Sequence, residues 1–227
     1  MIWEDKGFLI SKNKYNENSI IAEFYTYKFG KVTGILYGAT SKKIKSYLQV
    51  GNKFHINFSN KNNNKLGYFK VEIDQITTPK YYDTKKKIFC IKYTFDIIKT
   101  LTVENQQNLK VFELIGNFFN ILISDDWVKL YIYWELDFFK SIGYDISFQN
   151  YVSAKNVNDE KIYFVTTSSN KKIIPSFLID KSLKPKNNIE IVFALKLVGD
   201  FLEKSILRPN NLGFPNTRND FTNYFKE

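Results

Sequence analysis

Residues 30–52 read GKVTGILYGATSKKIKSYLQVGN, and this stretch decides how the N-terminal part of the chain is interpreted. The residues at 31–37 predict a β-strand, and Gly38 predicts a break after it. A basic loop is expected next, which carries Lys42, Lys43 and Lys45. Lysines grouped beside the end of a strand suit contact with phosphates, although lysines on loops also commonly face only water.

Four further short strands are predicted around this stretch. Apolar and polar residues alternate, in whole or in part, over 7–15, 19–27, 54–58 and 66–76. Period-two alternation is typical of strands with one buried face. Five strands in about 80 residues fit a small OB-type barrel, and an SH3-like barrel would give a similar count. We therefore predict an OB-fold domain that contacts nucleic acid over residues 1–80.

Beyond residue 80 the hydrophobic period changes to that of helices. Apolar residues recur every three or four positions over 88–101, 109–122, 127–138 and 188–207. Residues 145–178 interrupt this pattern as a loop or short hairpin, with 161–167 as the best strand. The predicted class is α+β, in which an N-terminal β-barrel precedes a helical domain over 81–227 that carries a small insert.

The positive charge of the chain is concentrated near its N-terminus. The formal net charge is +10. Residues 1–87 hold 16 lysines and 7 acidic residues, whereas residues 88–227 hold 17 lysines or arginines and 16 acidic residues. A uniform compositional bias would have spread this excess evenly. The asymmetry indicates an N-terminal module that faces a polyanion and a remainder with balanced charge.

The single cysteine, Cys90, and the single histidine, His55, exclude several classes of protein. One cysteine forms no internal disulfide, which suits a reducing compartment, and the apolar segment around Cys90 predicts burial. We expect His55, in the alternating run FHINF, on the polar face of a strand. Without a second His or Cys there is no zinc site of ordinary ligand type and no histidine-based triad. With no phosphate-binding glycine loop either, we do not expect an enzyme.

The N-terminus MIWEDKGFLI lacks the long apolar core of a signal peptide. No uncharged run is long enough for a membrane span. We therefore expect a soluble, cytoplasmic protein without a membrane partner.

The order of these parts resembles a family of bacterial recombination mediators, the RecO proteins. The resemblance is carried by WEDKGFLISKNKYNENSIIAEFYTYKFGKVTGILYGATSKKIKSYLQVGNKF, LGYFKVE, SIGYDISF and FLEKSILRPNNLGFP. The opening block is the most specific, because its turn glycines, its basic loop and the following Leu48 and Gln49 fall in the family's order. The last block lies far away and still falls in sequence order, so the resemblance extends over most of the chain.

The resemblance implies a function in DNA repair and recombination. RecO proteins bind single- and double-stranded DNA, anneal complementary strands, and act with RecR, and often RecF, to load the RecA recombinase. The DNA that receives RecA is coated with single-strand-binding protein. The implied setting is the RecF pathway, in the bacterial cytoplasm at the nucleoid during repair.

The resemblance also implies which residues contact DNA. The basic positions of the family's barrel loop match Lys42, Lys43 and Lys45, and Lys31 matches the position beside the glycine of the third strand. The predicted DNA-binding set is Lys12, Lys14, Lys31, Lys42, Lys43 and Lys45. Lysine here replaces the arginine common in the family, which keeps phosphate attraction and loses the bidentate fork. We expect phosphate contacts without base reading.

Many RecO proteins carry a four-cysteine zinc site in the insert after the segment that matches SIGYDISF. Here Tyr151 stands near the position of the first cysteine, and no cysteine follows it. We therefore expect neither zinc nor another cofactor, and an insert held together by packing.

A second interpretation is an adaptor that mainly docks other proteins, with DNA contact secondary. In the family, the helical domain receives the acidic, phenylalanine-ending tail of single-strand-binding protein. Such a tail requires a cation beside an apolar pocket. The candidates are Lys196, Lys204 and Arg208, for each of which a solvated surface charge is the alternative.

Overall fold

The computed structural model describes residues 1–60, 66–146, 148, 152–157, 160–166 and 171–225 of the chain. The chain divides into two units, Met1–Phe119 and Asn120–Glu227. Five N-terminal strands are followed by helices and a small second sheet, so the predicted α+β class is confirmed.

The first five strands form one closed barrel. They are β1 (Ile2–Lys14), β2 (Ser19–Thr26), β3 (Gly30–Tyr37), β4 (Lys53–Ser59) and β5 (Gly67–Gln75). Neighbours follow the order β1-β2-β3-β5-β4, and β4 also pairs with β1, which closes the sheet. The β3–β5 pairing is parallel and the others are antiparallel. β1 begins before the predicted residue 7 because its first half pairs with β4.

The barrel interior is filled by the apolar positions that alternate along the strands. Phe24 lies edge-on to Phe54 and Phe69, with ring centroids 5.6 and 5.0 Å apart. Leu9 and Ile56 are also buried there. Each aromatic ring removes a large apolar area from water, so this cluster supplies much of the stability of the barrel.

A short helix, α1 (Lys42–Tyr47), joins β3 to β4 where the sequence predicted a basic loop. The loop prediction is wrong for two physical reasons. Ser41 Oγ caps the helix by accepting the Ile44 N–H at 3.4 Å. Ile44, Tyr47 and Leu48 recur at helical spacing and pack against the barrel core, which holds the helix in place.

A buried polar junction connects the start of β4 to the segment after β5. Asn52 Oδ1 accepts the Thr77 N–H at 2.9 Å, and the Asn52 side-chain amide donates to the Tyr47 carbonyl oxygen at 2.7 Å. Gly51 has a φ of +93°, and a Cβ there would lie 2.5 Å from Thr78 Oγ1. A side chain at residue 51 would therefore break this junction.

Helices follow the barrel as the apolar periods predicted. They are α2 (Lys85–Leu101), α3 (Leu109–Ile121) and α4 (Trp127–Ser141), after a 3-10 turn at Thr78–Tyr81. Cys90 on α2 is buried, as predicted. Phe95 of α2 packs against Phe118 and Phe119 of α3 at centroid distances of 6.2 Å. This packing adds α2 and most of α3 to the unit that contains the barrel.

The insert forms a small antiparallel sheet. Its strands are β6 (Ser153–Val157), β7 (Glu160–Thr166) and β8 (Lys171–Ile174), in that order, followed by α5 (Ser176–Ile179). β7 corresponds to the predicted strand at 161–167 up to Thr166, and residue 167 lies outside the described residues. Tyr151, the position expected to match the first zinc ligand of the family, lies outside the described residues.

The C-terminal part consists of α6 (Asn188–Phe201), a π-helical continuation (Leu202–Leu207), a 3-10 turn (Arg208–Asn210) and α7 (Asn216–Asn223). The predicted helix at 188–207 is α6 with its continuation. Arg218 of α7 is 2% exposed and bonds to Glu135 of α4, which is fully buried. Arg218 also donates to the Leu195 carbonyl oxygen of α6 at 2.6 Å. One guanidinium thus ties three helices together.

Candidate nucleic-acid interface

Helix α1 presents two of the predicted lysines to solvent. Lys42 and Lys45 are exposed on it, and Lys43 lies in the same helix with a side chain outside the described residues. Gly38, with a φ of +69°, accepts the Ser41 N–H at 3.1 Å and turns the chain from β3 toward α1. The ammonium groups are therefore held by a helix packed on the barrel instead of a flexible loop.

Lys12 and Lys14 lie two residues apart at the C-terminal end of β1, and Lys12 reaches the end of α1. The Lys12 ammonium donates to the Leu48 carbonyl oxygen at 2.5 Å, just beyond α1. Burial, and then the nearby charge of Lys45, lower the pKa of Lys12. Positive charges are thus already crowded here, and an anion would relieve their repulsion. We name the set Lys12, Lys14, Lys42 and Lys45 the lysine cluster.

Lys31 lies near the start of β3, whereas α1 follows the end of that strand. It is about 20 Å from Tyr37 along β3, at about 3.3 Å per residue, at the opposite end of the strand. Its ammonium donates to the Lys99 carbonyl oxygen of α2 at 2.9 Å. Burial lowers the pKa of Lys31, with Glu23 and Glu104 opposing and Lys99 adding to that shift. The contacts of Lys31 join β3 to the end of α2.

Exposed tyrosines at the lysine-cluster end of the barrel were not predicted as site residues. The rings of Tyr37 and Tyr68 stack with centroids 5.5 Å apart and an interplanar angle of 21°. Tyr15 is also exposed. Their positions in the sequence could have indicated this exposure, because each of the three tyrosines lies at or next to a strand end, where a side chain can leave the barrel core.

A second group of cations lines a cleft of about 550 Å³ beside β1 and β4. Asp74 lies 3.6 Å from the Lys53 ammonium and 3.3 Å from His55 Nε2. Asp5 accepts the backbone N–H of Lys28 at 2.6 Å. His55 is exposed on β4, on the polar face where it was predicted. Because carboxylates balance these cations, the cleft suits a polyanion less well than the lysine cluster does.

The C-terminal unit contains a groove of about 660 Å³ lined by residues of α6 and α7, by Glu203 of the π-helical continuation and by Phe214. Lys196 borders this groove, together with the apolar Val192. Lys204 and Arg208 do not line it, and Arg208 pairs with Glu203 at 2.6 Å. Of the three cations predicted for protein docking, Lys196 lines this groove, whose walls carry both apolar side chains and the carboxylates of Asp200 and Glu203.

Among the residues that the structure describes, no group of three His, Cys, Asp or Glu side chains is arranged to hold a metal ion. The four-cysteine zinc site of many RecO proteins does not fit this chain, whose one cysteine is buried in α2. Within the same described ranges, no helix combines the length and the apolar character needed to cross a membrane.

Comparisons with known proteins support the sequence resemblance. A family profile described as "Recombination protein O N terminal" matches residues 1–76, which span the five barrel strands. The DNA repair protein RecO of Ehrlichia chaffeensis is 26% identical over 230 residues, which cover 93% of this chain and 93% of that protein. The DNA repair protein RecO of Rhodospirillum centenum is 18% identical over 241 residues, which cover 100% of this chain and 96% of that protein. The DNA repair protein RecO of Wolbachia pipientis wMel is 22% identical over 239 residues, which cover 96% of this chain and 98% of that protein. The N-terminal match and the nearly full-length similarity to several RecO proteins support the assignment of the chain to the RecO family of DNA repair proteins.

Proposed function

We propose that this protein binds single- and double-stranded DNA through the lysine cluster, anneals complementary strands, and helps to load RecA together with RecR. Its setting is the RecF pathway in the cytoplasm, with RecF as a further partner, and its role is that of a mediator without catalysis. The observation that carries the proposal is the grouping of lysines from β1 and α1 at one end of the N-terminal barrel. Membership of a DNA repair family supports DNA as the polyanion.

We assign the barrel to the OB type. The parallel β3–β5 pairing and the helix between β3 and β4 support this assignment over an SH3-like barrel. OB barrels bind single-stranded nucleic acid through a strand face and its bordering loops. The hairpin turn between β1 and β2 and the start of α1 are two such borders, and both lie beside the lysine cluster.

The proposed mechanism is electrostatic and needs no bond chemistry. Two DNA strands repel each other, and a cationic surface that binds both lowers that repulsion. Lysine ammonium groups act on phosphates as point charges, so the contact is independent of sequence. With three or four phosphate contacts, the logarithmic salt slope on single strands is about −2 to −3, at about −0.7 per contact.

The test is strand annealing on DNA that is precoated with single-strand-binding protein. The wild-type protein should anneal the coated strands, because DNA contact and partner contact are both required. The variant Lys42→Glu/Lys43→Glu/Lys45→Glu should lose annealing and DNA binding and keep its circular dichroism spectrum. The matched control reverses three exposed lysines on α2 and α3, namely Lys85, Lys92 and Lys110. Equal activity of this triple variant and the control would refute the placement of the site.

An adaptor role is the second candidate, and the groove beside α6 and α7 favours it. Lys196 lines the same groove as the apolar Val192 and Phe214, and an acidic tail that ends in phenylalanine requires a cation and apolar side chains together. We propose the tail of single-strand-binding protein as the occupant. Its peptide should bind with its terminal Phe and not without it. Lys196→Glu should weaken binding, whereas Lys204→Glu, which changes an exposed lysine outside the groove, should not.

A further inference from the structure

Three exposed tyrosines lie in adjacent positions at the end of the barrel that carries the lysine cluster. Tyr37 ends β3 and faces Ser19 of β2 in the strand register. Tyr15 follows β1, and its N–H donates to the Ser19 carbonyl oxygen at 3.1 Å. Tyr68, on β5, is opposite Ile35 of β3. We name Tyr15, Tyr37 and Tyr68 the tyrosine row.

The rings of the tyrosine row are open to solvent and lie close together. Tyr15, Tyr37 and Tyr68 are 54%, 56% and 40% exposed. Partial desolvation, then Tyr68 and finally Tyr15 raise the pKa of Tyr37, so this ring stays neutral near pH 7. The core beneath is filled by other aromatic side chains, so the row adds little to barrel packing. Clustered exposed aromatic surface of this kind marks a binding site.

The charge next to the tyrosine row indicates what binds it. Five chain steps separate Tyr37 from Lys42, which limits their Cα–Cα distance to about 18 Å. The turn at Gly38 shortens the path, since the Gly38 N–H is held by the Asn18 carbonyl oxygen at 2.8 Å. A ligand that reaches both groups must therefore combine negative charge with flat apolar faces. A single DNA strand has both, in its phosphates and its unpaired bases.

We infer that the tyrosine row is a stacking platform for unpaired bases, used while the lysine cluster holds the phosphates. This inference rests on the proposed DNA binding and adds a preference for single strands. Bases in a duplex are already stacked inside the helix and do not reach the rings. Stacking tolerates any base, because every base has a π-face, so the platform operates without sequence reading.

The experiment compares three labelled probes of about 16 nucleotides, a length within the range of OB-fold sites. They are a thymidine oligonucleotide, the same backbone with abasic sites, and a duplex. Tyr37→Ala/Tyr68→Ala should bind the thymidine strand about tenfold more weakly, from the usual contribution of a stacked base. Its affinity for the abasic strand and the duplex, and its salt slope, should not change. Tyr37→Phe/Tyr68→Phe should bind all three probes like the wild type. The matched control is Tyr82→Ala, which removes a ring with 54% exposure outside the row.

The outcomes separate this inference from the proposed function. If the alanine variant binds the thymidine strand as tightly as the wild type, the platform is refuted and DNA binding by the lysine cluster stands. An equal loss on all three probes, or a changed salt slope, would show that the substitutions disturb the lysine cluster, which also overturns the platform. If the wild type binds none of the probes, both proposals fail.

Discussion

Replacing Lys42 and Lys45 by glutamine removes two exposed positive charges from the lysine cluster and keeps side chains of similar length. If each ammonium contacts one phosphate of a single strand, the logarithmic salt slope should become shallower by about 1.4. The same relation predicts an affinity loss of about 25-fold at 0.1 M salt, which shrinks to about fivefold at 0.3 M. This salt dependence distinguishes lost phosphate contacts from a damaged fold.

The assay is fluorescence anisotropy with a labelled oligonucleotide at several salt concentrations between these limits. Lys31→Gln is the control, because the Lys31 ammonium bonds to the Lys99 carbonyl oxygen and Lys31 lies at the opposite end of β3 from α1. This substitution removes one positive charge from the same barrel. It should leave the salt slope unchanged and lower the melting temperature. A loss for the double variant that is the same at every salt concentration would refute the electrostatic mechanism.

Three further predictions concern stability. Burial raises the pKa of Tyr25 to about 12. Because the pKa of tyrosine in the unfolded chain is about 10, the contribution of Tyr25 to the free energy of unfolding should be full below about pH 10 and fall by about 2 kcal/mol as the pH rises to 12. Urea unfolding of Tyr25→Phe should lack this part of the pH dependence. Arg218→Met leaves the buried Glu135 carboxylate without its guanidinium and should cost about 3–5 kcal/mol, whereas adding Glu135→Leu should restore most of the loss in thermal melts. Dialysis against a chelator should leave the melting temperature unchanged, because the insert is proposed to fold without zinc; a fall of several degrees would contradict this.

Local patterns were sufficient to predict most elements of the barrel and the helices. The alternation of Phe54, Ile56 and Phe58 with polar residues corresponds to β4, whose apolar side chains enter the core. Apolar residues three or four positions apart correspond to α2, α3 and α4 in the same way. In both cases the signal lies within one element, because the period of the backbone decides which side chains are buried.

Features that depend on partners far along the chain were not predictable in this way. The role of Lys31 depends on a carbonyl oxygen of Lys99, and nothing adjacent in sequence indicates that bond. From the sequence, Arg218 would be expected on the surface. In the fold it is buried, because it bonds to Glu135 of α4, which is distant in sequence. Helix α1 was missed for another reason, because six residues are too few to show a convincing period. Its Ser41 cap was the available signal.

The closure of β1 on β4 has a consequence for synthesis on the ribosome. The first half of β1 emerges about 50 residues before its partner, a delay of about 3–10 s at the usual elongation rates. During that interval the backbone groups of this half-strand are unpaired and open to other nascent chains. Glu4, Asp5 and Lys6 lie in this segment, and charged side chains on a temporary edge discourage such pairing. These charges therefore protect the half-strand during the interval before β4 has been synthesised.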